Sequence, residues 1–510
     1  MAIKATAFFM QKNQLQGNTP RVAVIGAGIA GMTAAIELAS QGISVDVYEK
    51  NDSPGGRGRM FRQDGFTFDM GPSWYWMPEV FENFFNKHGE KLDHYFKLIR
   101  LDPSYRIFFS NNIIDSPADV IGVYEIFEKI EPGSSQFLRS FLAQSKIKYE
   151  AGMNDFVRRP ALSIFEFAEW RLLKNLFKLD LFKSIARLID HNIRDQRLRA
   201  WLKFPVLFLG AKPSQTPALY SLMNYADFEL GTWYPEGGMW KLFDAFYQLA
   251  LKRGVHFHFN EEVLAINVND RLATSLKTKN GTNEFDYLIG AADYHHIDTV
   301  LLPEGFRQYS DIYWSKRKLA PSALIFYLGI KGRIKDLLHH NLFFDEEFEQ
   351  HAIDIYDKKV WPAKPLFYVC VTSRSDDSVA PEGHENVFIL IPLATGIADD
   401  DTQREDLFNM VLNRVESKTG CRLAEDIVFR RDYCVRDFVN DYHSFQGNAY
   451  GLSNTLDQTA ILKPSVKHNK IRNLYFAGQL THPGPGLPPS LISGETAANL
   501  VLKKILRGSN

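Results

Sequence analysis

Gly26, Gly28, Gly31 and Glu49 are the residues whose types and spacing point most directly to chemistry. The glycines form a GxGxxG triplet that directly follows the apolar run Arg21-Val-Ala-Val-Ile. In that context Gly26 permits a tight turn, Gly28 lets the backbone approach a pyrophosphate, and Gly31 lets the next helix pack close. The N–H groups at that helix start, and its positive dipole end, favour phosphate. Glu49 closes a second run, Ser44-Val-Asp-Val-Tyr48, and can accept from ribose hydroxyls. An acid there disfavours a 2′-phosphate and so argues against NADP. The alternative reading, a sharp turn beside a capping acid, leaves the strand–glycine–helix–strand order unexplained.

Two further features bear on which dinucleotide binds. Asp52-Ser-Pro-Gly55-Gly56-Arg57 offers a turn able to approach a ligand and an arginine able to pair with phosphate. Near the C-terminus, Asn473-Leu-Tyr-Phe-Ala-Gly478 is another short apolar strand that ends in glycine. A long flavin dinucleotide needs contacts that far along the chain, whereas a minimal NAD fold ends earlier. His295 and His296 are adjacent and belong to no HxH or HExxH pattern, so no metal is expected.

These residues need strands and helices to position them. The sequence predicts a strand at 21–26, a helix at 32–41 ended by Gly42, and a strand at 44–48. Further strands are expected between 255 and 290, with a hairpin turn at Asn280-Gly281. The runs ALIFYLGI, LFYVCVT and VFILIPL read as strands, 403–418 as a helix, and Ser493 onward as the last helix. Residues 160–240 read as mostly helical. The fold class expected is α/β: a discontinuous Rossmann-type domain with an inserted α+β domain and a helical membrane-associating part. The boundaries are 1–20 as a flexible arm, 21–100 with 235–300 and 470–510 as the dinucleotide domain, and 101–234 with 301–469 as the substrate domain.

The composition is that of an ordinary globular chain. In 510 residues, 45% are apolar and 23% charged, and the net charge is −1. The charge gives no case for nucleic acid as a partner. Three cysteines, far apart and with no CxxC, argue against a disulfide scaffold or a Cys-rich metal site and point to a reducing, cytoplasmic compartment. No apolar run is long enough for a spanning helix. Residues 170–189 carry five basic groups and one acid among Leu, Phe and Ile, the composition of a basic amphipathic helix on an anionic membrane surface.

Aromatic residues make up 13% of the chain, yet residues 66–85 hold eight in twenty positions. Phe66, Phe68, Trp74, Tyr75, Trp76, Phe81, Phe84 and Phe85 are candidates to line something large and apolar, with Phe68, Trp74, Tyr75 and Trp76 foremost; Phe204, Phe208, Phe228, Trp233 and Tyr234 are others. Asp155, Arg158, Arg159, Asp227, Glu229 and His482 are candidate polar helpers. An ordinary core and surface reading competes for all of them.

The glycine fingerprint, EKNDSPGGRGR, GFTFDMGPS and NLYFAGQLTHPGPGLPPSLISGE, in this order along the whole chain, resemble the phytoene desaturase family of carotenoid desaturases, relatives of amine and protoporphyrinogen oxidases. The resemblance implies FAD as cofactor, hydride transfer to the flavin N5, loss of a proton and a new C=C in a carotenoid. It also implies a peripheral membrane position and oxygen or a quinone as electron acceptor. By position, Gly26, Gly28, Gly31, Glu49, Gly56 and Arg57 would hold the ADP part and Val263 would lie near adenine. Gly478 and Gln479 would lie near the second phosphate or the ribityl chain, and Leu487 and Pro488 near the isoalloxazine. No side chain is assigned as base, because a cation beside a polyene is stabilised by delocalisation. Three amphipathic rings at 74–76, able to reach a hydroxyl, favour 3,4-desaturation of a 1′-hydroxycarotenoid over phytoene desaturation. An amine or porphyrinogen oxidase is the weaker alternative, because the 482–489 loop supplies neither an acid nor an aromatic cage.

Overall fold

The computed structural model describes residues 19–163, 166 and 183–508. The arm expected at 1–20 lies outside them up to residue 18, as do residues 170–182 of the expected basic helix.

Five parallel strands form one sheet in the order Leu474–Phe476, Tyr287–Gly290, Arg21–Ile25, Ser44–Tyr48, His256–His258. Three separated stretches of chain therefore meet in one sheet. The register aligns their carboxyl ends: Ile25 pairs with both Tyr48 and Gly290, and Gly290 with Phe476. Val22, Val24, Val45 and Val47 are buried, as strands covered on both faces require. Helix Ile29–Ala39 covers this sheet and begins three residues before the expected start. The last helix, Leu487–Gly508, lies against it so closely that a Cβ on Gly494 would stand 2.3 Å from the Ala30 carbonyl oxygen. That last helix begins six residues before the expected Ser493. Prolines 488 and 489 occupy its first turn, where the missing N–H would have had no intrahelical partner.

A second sheet has seven strands in the order Ile427–Tyr433, Ser322–Lys331, His384–Leu393, Phe367–Cys370, His340–Phe343, Tyr105–Phe108, Ile113–Ser116. All neighbours are antiparallel except His340–Phe343 with Tyr105–Phe108. The run ALIFYLGI is buried throughout because both faces are covered. Leu324, Phe326 and Leu328 pack with Leu407, Val411 and Val415 of helix Asp401–Thr419. Asp400 caps that helix by accepting from the Gln403 N–H. Ala323, Ile325 and Tyr327 point the other way, into the large core shared with the first sheet.

Candidate functional site

The carboxyl ends of the five parallel strands open onto one crevice, the usual ligand position in such sheets. Gly26 turns the chain there with φ +101, and its N–H donates to the Tyr48 carbonyl at 2.8 Å. Gly31 allows the helix to close on the turn, since a Cβ on it would lie 2.0 Å from the Gly26 oxygen. Gly28 differs: a Cβ on it would meet nothing within 4 Å. The space in front of this helix start is open to a ligand. Glu49, 5% exposed, accepts at Oε2 from the Ala27 N–H (2.8 Å) and at Oε1 from Asn51 N (3.0 Å) and Nδ2 (2.8 Å). The acid is thereby held against the glycine turn.

The 55–58 turn docks on the same loop. The Gly55 N–H donates to the Ala27 carbonyl at 2.8 Å, and a Cβ on Gly56 would stand 3.3 Å from Gly28 Cα. Arg57 runs inward. Its Nη2 donates to Ser444 Oγ (2.9 Å) and the Asn448 carbonyl (3.2 Å), and its guanidinium lies 5.1 Å above the Tyr442 ring. With its amide oxygen toward Arg57, Gln479 accepts from Nη1 at 3.2 Å and Nη2 at 3.0 Å. Arg57 Nε is buried without a partner. Burial pulls the guanidinium below its ordinary range, and Asp293 opposes that pull. Gly478 takes φ +116, and its N–H donates to Ser493 Oγ at 3.0 Å. Leu487 and Pro488 begin the last helix on the same cavity wall. Val263 lines the cavity beside Glu49 and Tyr48. His296 stacks on His443 at 4.0 Å there, and burial lowers its pKa to about 3.

These residues bound a cavity of about 560 Å³ that continues from the glycine turn to the second sheet. Trp74, Tyr75, Trp76 and Phe204 line it. The sheet contributes Ala323, Ile325, Leu342, Tyr368 and Leu390, none of them charged. The Tyr75 hydroxyl is buried with no hydrogen-bond partner, whereas Trp76 Nε1 donates to Thr232 Oγ1 at 2.8 Å.

Phe68 does not reach the cavity lining. Strand alternation turns it into a core cluster with Phe61, Phe66, Tyr327 and Phe429. Phe228 packs against Trp201, and the Tyr234 hydroxyl donates to Asp376 Oδ2 at 3.0 Å. Trp233 stands beneath Arg100. Among the polar candidates, Arg158 pairs with Glu495 at 2.5 Å, Arg159 with the Glu166 carbonyl, and Glu229 is exposed. Burial lowers the pKa of His482 to about 4, and the charge of Lys463 adds to that. Asp227 accepts from the Tyr105 hydroxyl at 2.7 Å, and burial raises it to about 7. The side chains of Asp155 and Phe208 lie outside those described. Sequence reading missed the sheet-derived wall, because a run that is apolar on both faces does not reveal which face is covered by protein and which by a cavity.

A dinucleotide fits what is present: an open helix start, a buried acid beside it and an orphaned buried guanidinium nitrogen. Known proteins agree. The family model described as flavin containing amine oxidoreductase matches residues 29–502. A carotenoid 3,4-desaturase of Haloarcula japonica is 38% identical, over 95% of this chain and 98% of its own. A zeta-carotene-forming phytoene desaturase of Myxococcus xanthus is 32% identical, over 95% and 94%. The crystal structure of cyclohexylamine oxidase from Brevibacterium oxydans, 15% identical, shares the fold with a TM-score of 0.58 over 96% of this chain and all of that one. The chain belongs to the flavin-containing amine oxidoreductase family, in the branch that holds the carotenoid desaturases.

Proposed function

We propose that this chain is an FAD-dependent carotenoid desaturase that introduces the 3,4 double bond, with a 1′-hydroxycarotenoid as preferred substrate. The carrying observation is the single cavity that joins the dinucleotide crevice to an apolar, aromatic-walled chamber. A hydrocarbon offers almost no hydrogen bonds, so its affinity must come from buried area, at about 25 cal/mol per Å². FAD, when bound, supplies the two-electron acceptor that removal of a hydride requires.

In this reading Gly26, Gly28, Gly31 and the helix start hold the pyrophosphate, and Glu49 holds the ribose hydroxyls. Val263 lies by adenine. Gly56, Arg57, Gly478 and Gln479 hold the middle of the cofactor, and Leu487 and Pro488 face the ring system. Residues 21–100, 235–300 and 470–510 act as the cofactor domain; 101–234 and 301–469 act as the substrate domain. Trp74, Tyr75 and Trp76 orient the substrate, and the unpartnered Tyr75 hydroxyl suits a terminal hydroxyl. The wall carries no charged group to keep the released proton, which passes to water at the cavity opening.

Membrane contact belongs to the same proposal, because a carotenoid must pass from a bilayer. Among the described residues no helix is long and apolar enough to cross a membrane. Exposed Leu456, Ile461 and Leu462 flank Thr459, which meets the cavity-lining Tyr220. We place the protein at the cytoplasmic face, with oxygen or a quinone taking the electrons.

The test is incubation of the FAD-loaded protein with liposomes carrying phytoene or a 1′-hydroxycarotenoid, followed by product absorption spectra. A red-shifted product from the hydroxycarotenoid is expected. Conversion of phytoene alone would move the assignment to phytoene desaturation, and conversion of neither would sink it.

A further inference from the structure

His340–Phe343 runs antiparallel to Phe367–Cys370, and His340 and Cys370 are register partners. Directly paired residues share a sheet face. Here it is the face of Leu342 and Tyr368, which line the cavity. His339 comes just before the strand, and its ring meets His340 edge-on with centroids 4.5 Å apart. One donor atom from each of His339, His340 and Cys370 lies within 4.8 Å of the others. The Cys370 sulfur is 3.8 Å from His340 Nδ1. Exposures are 4%, 0% and 2%.

The hydrogen bonds tie one nitrogen of each ring and leave the other. His339 Nδ1 is 3.0 Å from Ser375 Oγ, and His340 Nδ1 is 2.6 Å from the Tyr368 hydroxyl. Nε2 of both rings is buried with no partner. Each such orphan costs about 1–3 kcal/mol, and both belong to rings whose residues bring a donor atom within 4.8 Å of the others and of the Cys370 thiol. Metal-ligating imidazoles show this division: one nitrogen anchored to a hydroxyl or carbonyl, the other free for the ion. A void of about 20 Å³ adjoins Cys370 on a side that neither histidine lines; Phe68, Met239 and Phe388 share its wall with Asp69, Ser73, Thr372 and Asn386.

We propose that His339, His340 and Cys370 form a binding site for a borderline-to-soft metal ion of the Zn²⁺ class. Two imidazoles and a thiol suit Zn²⁺ and do not suit Mg²⁺ or Ca²⁺, which take oxygen ligands. Binding converts the Cys370 thiol to a thiolate and releases its proton to solvent. The ion would also fix a cavity wall: the Trp74 ring stacks on His340 at 4.2 Å and 11°, and Tyr368 holds its other side. The spacing eluded sequence reading because a strand pairing, and no local motif, joins 339–340 to 370.

The test is metal analysis of the FAD-loaded protein, purified without chelator or metal-affinity tag. One zinc-class ion per chain is expected. Exchange for Co²⁺ should produce d–d bands to the red of the flavin absorption. Cys370→Ser and His339→Gln should each lower occupancy at least about tenfold with flavin content unchanged. Should Cys370→Ser also lose flavin, the wild-type metal content and cobalt spectrum decide alone. Less than about a tenth of an ion per chain with no cobalt bands, or full occupancy in Cys370→Ser, would overturn the proposal.

Discussion

At the crevice end of the cavity glycine backbone reaches the surface between polar and charged side chains, whereas at the chamber end apolar and aromatic side chains form the wall. The crevice is made by the turn at 26–28 and the Gly55-Gly56 turn docked on it, Gly55 through the Ala27 carbonyl and Gly56 against Gly28, with Glu49 bound to the Ala27 N–H. The chamber is made by Trp74, Phe204, Leu342 and Tyr368, from segments spread over more than half of the chain. Polarity divides in the same way. Glu49 takes three N–H donors at the crevice, while beneath the chamber Asp227 is pushed toward neutrality by burial. Where backbone faces backbone, as at Gly31, almost no added atom is tolerated, because backbone cannot rotate away. A side-chain wall can relax.

The sharpest way to break this contrast is Gly31→Val. Its Cβ would stand 2.0 Å from the Gly26 oxygen, and neither backbone can yield. A loss above about 4 kcal/mol in cofactor-bound stability is expected, seen as absent flavin absorbance after gel filtration. Normal flavin content would show that the turn is softer than its geometry indicates.

The next effect is a pH dependence under the chamber. Asp227 has its folded pKa raised from 3.8 to about 7 by burial. The folded state therefore binds more protons than the unfolded one between those values, so this group lowers stability as pH rises through that window. Asp227→Asn removes the penalty while keeping an acceptor for Tyr105. Its unfolding free energy relative to wild type should improve from pH 4 to pH 8 by at most about 4 kcal/mol. A difference that stayed flat with pH would mean that the carboxyl is ionised throughout.

The smallest effect sharpens the contrast. Tyr75→Phe deletes a buried hydroxyl that has no partner, so stability should hold or rise by about 1 kcal/mol. Flavin content should not change, and KM should rise for the hydroxycarotenoid more than for phytoene. An equal change for both substrates would leave Tyr75 as wall alone.

The glycine-lined crevice was legible from the residues themselves. A glycine triplet after a β-branched run, an acid ending the next strand and a Gly-Gly turn each act within a few residues, and local sterics dictate them. The aromatic density of 66–85 was plain, yet which of its rings met protein and which met a cavity was not written there. Phe68 went to the core, and Trp74–Trp76 went to the cavity. The start of the last helix was also misread, because prolines signal loops until they occupy a first turn. Types and spacing alone determined the glycine turn with its acid and the parallel strands around them. Only the tertiary structure decided which apolar strand face walls the chamber and that His339, His340 and Cys370 meet. Those depend on pairings between strands far apart in the chain, and no local periodicity encodes the register between them.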